Sequence, residues 1–79
     1  MKPIKVIYRK LGKEKARGLA FTDEREIHLD SRLRGKELME ILIHEVLHIQ
    51  QPKQGEIKIA GQAKEITEIV WQQMFGKMG

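Results

Sequence analysis

Apolar residues in the first thirty positions fall into three short groups, separated by charged or glycine-containing stretches. Residues 4–8 are apolar and rich in β-branched side chains, so they predict a first strand. Residues 10–15 carry dense charge and a glycine, which predicts a loop. Residues 18–22 and Glu26–Asp30 flank a polar stretch at 23–25. They predict a β-hairpin with a short turn, and its second arm alternates as a half-buried strand does.

A longer apolar segment follows, and its spacing is that of a helix. The helix begins at Gly35 or Lys36 and runs to about Gln50. Pro52 ends it, because the residue before a proline disfavours helical geometry. Apolar residues occupy nearly the whole circumference of this segment, which is typical of a central, buried helix.

A second helix is predicted from about Glu56 to Phe75, after a short turn at residues 51–55. Its apolar stripe recurs in steps of three and four residues (Ile59, Ala60, Ala63, Ile66, Thr67, Val70, Trp71 and Met74). We expect Trp71 and Phe75 to close this helix on the sheet. Strands followed by two packed helices predict an α+β fold, with a small antiparallel or mixed sheet of about three strands, in one domain over residues 1–79.

Composition narrows the chemistry that the chain can perform. Its 79 residues are near the lower size limit for a self-sufficient core, so a bound metal would add usefully to stability. The absence of cysteine excludes disulfides and thiolate zinc sites, which leaves His, Asp and Glu as metal ligands. Charged residues interrupt the start of the chain, and no apolar run is long enough to span a bilayer, so we expect a soluble cytoplasmic protein.

The net charge of +4 is distributed unevenly. Residues 1–36 hold eleven Lys and Arg against five Asp and Glu, a balance of +6, and residues 37–79 hold four against six, a balance of −2. A basic front half suits nucleic acid or acidic protein segments. Aromatic residues do not interleave these charges as base stacking requires, so a solvated, lysine-rich surface is favoured over nucleic-acid binding.

The strongest chemical pattern is His44-Glu45-Val46-Leu47-His48, which reads H-E-x-x-H within the most apolar part of the chain. Two histidines four residues apart on a helix project from one face, so both imidazoles can reach one metal ion. Glu45 lies beside that face, where it can accept a proton from a water molecule. This pattern predicts a zinc-dependent hydrolase with His44 and His48 as ligands and Glu45 as the general base.

A catalytic zinc usually takes three protein ligands, so a third is needed. At 100° per residue, Glu56 falls in the middle of the apolar stripe of the second helix and faces the first helix, whereas Glu65 and Glu68 fall on the opposite side. A carboxylate aimed at the core is costly unless it binds a cation, which favours Glu56. Glu68 follows His48 by twenty residues, a separation typical of the thermolysin-like arrangement, and it remains an alternative.

Three further candidates for the third ligand are lesser alternatives: Glu65 on the second helix, and His28 and Asp30 outside it. The strand Glu26–Asp30 directly precedes the active helix, so an open edge there would let a peptide lie along it by backbone pairing. His28 and Tyr8 are candidates to stabilise a developing oxyanion, although a surface position is the more common one for a lone His28.

Three stretches together resemble the zincin-type metallopeptidases: residues 27–30, the helical approach at 38–43, and the H-E-x-x-H pattern itself. The similarity covers about residues 18–75 and is closest to small, minimal zincin-like domains, distantly similar to the SprT-like and ImmA/IrrE-like groups. It implies that His44 and His48 bind zinc, that Glu45 is the base, and that a glutamate on the following helix completes the site. Gln51 and Gln54 stand where metzincins have their glycine and third histidine.

Two functions follow from these patterns. The first is a zinc-dependent peptidase that acts on a protein or peptide chain. The second is a zinc-stabilised module that binds protein or nucleic acid with little hydrolysis. Glu45 favours the first, because a purely structural site needs no base beside its ligands, and the small size and basic front half favour the second.

Overall fold

The computed structural model describes residues 2–76, which form three strands followed by two helices. The strands are β1 (Lys5–Arg9), β2 (Gly18–Phe21) and β3 (Glu26–Asp30), and the helices are α1 (Gly35–Gln50) and α2 (Glu56–Phe75). The predicted α+β class, the hairpin and both helices are confirmed, while β1 lies one residue later than predicted. No helix within residues 2–76 has the length and apolar content needed to cross a membrane.

The sheet is mixed, with the strand order β1-β3-β2. β1 pairs with β3 in parallel, so that Val6 lies opposite Ile27, and β2 pairs with β3 antiparallel, so that Ala20 also lies opposite Ile27. The prediction of an open edge on Glu26–Asp30 is therefore wrong, because this strand has a neighbour on each side. The open edge nearest α1 belongs to β2, since α1 contacts β2 and β3 but not β1.

The core has two parts, one on each side of α1. On the sheet side, Ile27 and Leu29 are fully buried, and they form one cluster with the buried residues Leu33 and Ile49. On the other side, Leu47 packs against Ile59 and Ala63 of α2. Because α1 lies between the sheet and α2, it needs apolar residues around most of its circumference. Only Glu45, Leu47 and Ile49 of α1 are buried, however, so the helix is central but less enclosed than the pattern predicts.

The second helix packs on α1 and contacts none of the three strands. The prediction that Trp71 and Phe75 close α2 on the sheet is therefore wrong. Their rings pack against each other with centroids 4.3 Å apart, beside an apolar cavity that the first half of α1 lines with Gly35, Leu38 and others. The physical reason is the layer order: α1 occupies the space between α2 and the sheet.

Asp30 joins β3 to the segment that leads into α1. Its carboxylate accepts hydrogen bonds from the backbone N–H groups of Leu11 (3.3 Å) and Arg32 (2.9 Å), and it also pairs with the Arg32 guanidinium (2.8 Å). These bonds hold the pKa of the Asp30 carboxyl far below its usual range, the Arg32 side chain contributing most. Asp30 thereby fixes the loop after β1 and the chain before α1 to one strand end.

Candidate metal centre

His44 and His48 lie on α1 where the helix faces the start of α2. Their Nε2 atoms are 3.1 Å apart, and their ring centroids are 4.8 Å apart. Both side chains are about one-fifth exposed, at 18% and 24%. The pair is therefore enclosed on the protein side and open to one cleft.

Glu56 is the first residue of α2, and its carboxylate reaches both histidines. One oxygen, Oε1, lies 2.5 Å from His44 Nε2, and the other, Oε2, lies 2.9 Å from His48 Nε2. Gly55 caps the helix in extended conformation, which turns the chain back toward α1. The Glu56 side chain is 68% exposed, so it approaches the histidines from the solvent side rather than from the core.

The other four candidates for a third ligand lie outside this cluster. Glu68 pairs with Lys36 at 2.7 Å, and Glu65 is exposed on α2. His28 contacts Glu26 at 2.7 Å and accepts a hydrogen bond from Arg9, while Asp30 is held as described above. The cluster that the structure brings together is thus His44, His48 and Glu56.

This donor set fits a small divalent metal ion. One ligand atom from each residue lies within 4.8 Å of the other two. Tetrahedral zinc with bonds of about 2.0–2.1 Å separates its ligand atoms by roughly 3.3 Å, close to the 3.1 Å between the Nε2 atoms of the two histidines. Imidazole nitrogen and carboxylate oxygen are both ordinary zinc ligands, and other divalent ions accept the same set.

Glu45 lies beside the cluster and is only 8% exposed, in contrast to the ligand candidates. Burial raises the pKa of its carboxyl, the two neighbouring histidines lower it, and the Glu56 carboxylate raises it. A carboxylate with a raised pKa is a stronger proton acceptor than one in water. Position and environment therefore both suit a general base.

Gly18, the first residue of β2, is a site residue that the sequence reasoning missed. A Cβ atom built there would lie 2.8 Å from Ile41 Cγ2 and 3.0 Å from both Cγ and Oε2 of Glu45. Any larger residue would push against the carboxylate that flanks the cluster. The one hint in the sequence is that Gly18 and Ala20 share the core-facing side of β2 and are both small.

A cleft of about 360 Å³ opens over the cluster, between β2 and the two helices. It is lined by Gly18, Leu19, Ala20, Thr22, His44, Glu45, His48, Pro52 and Glu56. The Asp30 N–H donates to the Arg17 carbonyl, and hydrogen-bonded positions alternate along an antiparallel pair. The backbone N–H and C=O groups of Gly18 and Ala20 therefore point away from β3, along the open edge of β2.

The two predicted oxyanion candidates do not line this cleft. His28 alternates with the core residues Ile27 and Leu29, so it lies on the opposite face of the sheet, against the Phe21 ring at 4.7 Å. Tyr8 lies on β1, which β3 separates from β2. The sequence could not place either side chain, because strand order decides which face and which edge of the sheet they occupy.

No protein-family model, curated protein sequence or solved structure matches this chain. The zincin resemblance stays a prediction that rests on the residues themselves.

Proposed function

We propose that the chain is a zinc-dependent peptidase. The observation that carries this proposal is the convergence of Glu56 on the two histidines of α1, with the buried carboxylate of Glu45 beside them. A zinc ion held by His44, His48 and Glu56 would polarise a substrate carbonyl and activate water at neutral pH. A cytoplasmic location stays a prediction.

The residues of the chain have separate tasks in this proposal. Glu45 accepts the proton of the attacking water and returns it to the leaving amine nitrogen. His44, His48 and Glu56 fix the position of the ion relative to that carboxylate. The close approach of Gly18 to the Glu45 side chain limits the movement of that side chain, which keeps the base directed at the cleft.

The peptide substrate is proposed to pair with β2 rather than with β3. The free N–H and C=O groups of Gly18 and Ala20 line the cleft and can hydrogen-bond to an extended chain. Such pairing places the substrate backbone between β2 and α1, next to the cluster. Because the cleft is open and only about 360 Å³ in volume, it suits an extended or unfolded segment rather than a folded domain.

The test is a comparison of Glu45→Gln with wild type, after metal analysis of both purified proteins. We expect about one zinc ion per chain in each, and a loss of peptide hydrolysis of at least about a hundredfold in Glu45→Gln, since general bases contribute roughly 10²–10⁴. Glu65→Gln, on the exposed side of α2, is the matched control and should keep full activity.

Equal hydrolysis by wild type and Glu45→Gln would exclude Glu45 as the base. Zinc binding without hydrolysis of any peptide would instead favour the zinc-stabilised binding module, whose support in the structure is the open cleft and the exposure of Glu56. Loss of zinc from Glu68→Ala but not from Glu56→Ala would overturn the assignment of Glu56 as the third ligand.

A further inference from the structure

A second cavity lies beside the cleft over the cluster, next to α1 and just before the start of β2. Its volume is about 340 Å³, and its lining comes from both helices and from the residue before β2 (Arg17, Lys36, Glu37, Glu40, Ile41 and Glu68). Gly18 separates the two spaces, because it lines the first and lies against the Ile41 side chain of the second. The two cavities therefore adjoin at Gly18, and the second lies beyond the N-terminal end of β2.

The charges in the second cavity do not cancel. Arg17 forms an ion pair with Glu37, and Lys36 Nζ lies 2.7 Å from Glu68 Oε1. Glu40 is half-buried, and no Lys, Arg or His within residues 2–76 forms an ion pair with it. One carboxylate on the cavity wall is thus left without a counterion, which favours a cationic guest over a neutral or anionic one.

The distance between Glu40 and His44 along α1 can be compared with the spacing of residues in a bound, extended peptide. Glu40 precedes His44 by four residues, about 6 Å along the helix axis. An extended chain advances about 3.3 Å per residue, so this distance corresponds to about two residues. Antiparallel pairing is more stable per residue than parallel pairing, and a peptide antiparallel to β2 has its C-terminal part toward Gly18 and Arg17.

We propose that this second cavity is a specificity subsite, in which Glu40 binds a lysine or arginine side chain on the C-terminal side of the scissile peptide bond. The inference rests on the proposed peptidase function and on substrate pairing with β2. An acidic side chain at the same place meets the uncompensated carboxylate and is disfavoured.

The experiment uses the zinc-loaded protein and synthetic peptides with Lys, Gln or Glu at each of the first three positions after the scissile bond. At the second or third position, we expect kcat/KM to be about two- to fivefold higher for Lys than for Gln, the range typical of a solvent-accessible ion pair. Glu40→Gln should remove this preference. Glu40→Lys should reverse it, so that peptides with Glu at that position are better substrates than peptides with Lys. Glu65→Gln, outside both cavities, should keep it.

The outcomes separate this inference from the function on which it rests. If the zinc-loaded protein hydrolyses none of the peptides, the peptidase proposal fails and the subsite fails with it. If peptides are hydrolysed but Lys and Gln are equivalent at every position, only the subsite is overturned. A Lys preference that survives in Glu40→Gln also overturns it, because Glu40 is then not its source.

Discussion

Gly18 occupies a position where no side chain fits, because two α1 side chains fill the space beside its Cα. The contact joins the open edge of β2 to Glu45 and Ile41. A single residue without a Cβ therefore sets both the distance between strand and helix and the freedom of the buried carboxylate.

We predict that Gly18→Ala destabilises the protein by about 1–3 kcal/mol, the usual cost of overpacking. Because Glu45 must move, hydrolysis should fall further than stability alone explains, while zinc content stays unchanged. Urea denaturation measures the stability, a peptide-hydrolysis assay measures the activity, and metal analysis measures the zinc content. Gly12→Ala is the control, since a Cβ there meets nothing within 4 Å. Equal behaviour of the two variants would show that the strand can shift without strain.

Residue identity alone indicated most of the candidate site. The spacing of His44, Glu45 and His48 follows from helix geometry. Helix phase favoured Glu56 over the other glutamates of α2, but the core-facing position assumed for it is not observed, because its side chain is 68% exposed. Gly18 was not predictable in this way, because its role depends on how closely a strand approaches a helix that is distant in sequence.

At the scale of elements, periodicity and proline placement predicted both helices and the hairpin, because these features are local. Strand order was not predictable. β1 pairs in parallel with β3 although β2 lies between them in the sequence, so this pairing is not a local feature. That order moved the proposed substrate edge from β3 to β2 and placed His28 on the far face of the sheet.

The hydrogen bonds of the Asp30 carboxylate, at the end of β3, predict that the stability of the fold depends on pH. The pKa of Asp30 is depressed in the folded protein, so its stabilising effect is complete above its unfolded pKa of about 4 and is lost as the pH falls through the folded value. In the metal-free wild-type protein, we expect the midpoint temperature of thermal unfolding to decrease as the pH is lowered below about 4. The fall should be shallower in Asp30→Asn, which should also be the less stable protein at neutral pH.

Asp23→Asn, in the exposed hairpin turn, is the control for this experiment and should follow the wild-type pH profile. Identical slopes for Asp30→Asn and wild type below about pH 4 would mean that other carboxyl groups account for the acid response.

At the scale of the whole molecule, α1 is the only helix or strand within residues 2–76 that α2 packs against. The cluster of His44, His48 and Glu56 adds a second connection, at the first turn of α2. Several apolar residues of α2 remain exposed, among them Ile69 at 58% and Met74 at 62%, so its hydrophobic anchorage is limited. We therefore expect metal binding to stabilise the fold substantially.

Free zinc at about a hundred times its dissociation constant should stabilise the protein by about 2.7 kcal/mol. For a domain of this size, that energy raises the midpoint of thermal unfolding by roughly 10–20 °C, measured by circular dichroism with and without a chelator. Glu56→Gln should reduce the rise and Glu65→Gln should not. An unchanged midpoint in wild type would show that the cluster holds no metal in the folded state.

The distribution of the cluster over α1 and α2 has a consequence for the growing chain. β1 leaves the ribosome before β2 and β3, yet its pairing partner in the sheet is β3, which emerges after β2. The two histidines emerge later, and the carboxylate that meets them comes later still, at the start of α2. The three strands are therefore all synthesised before the cluster is complete, and a nascent chain gains the proposed chemistry only once α2 has begun to emerge.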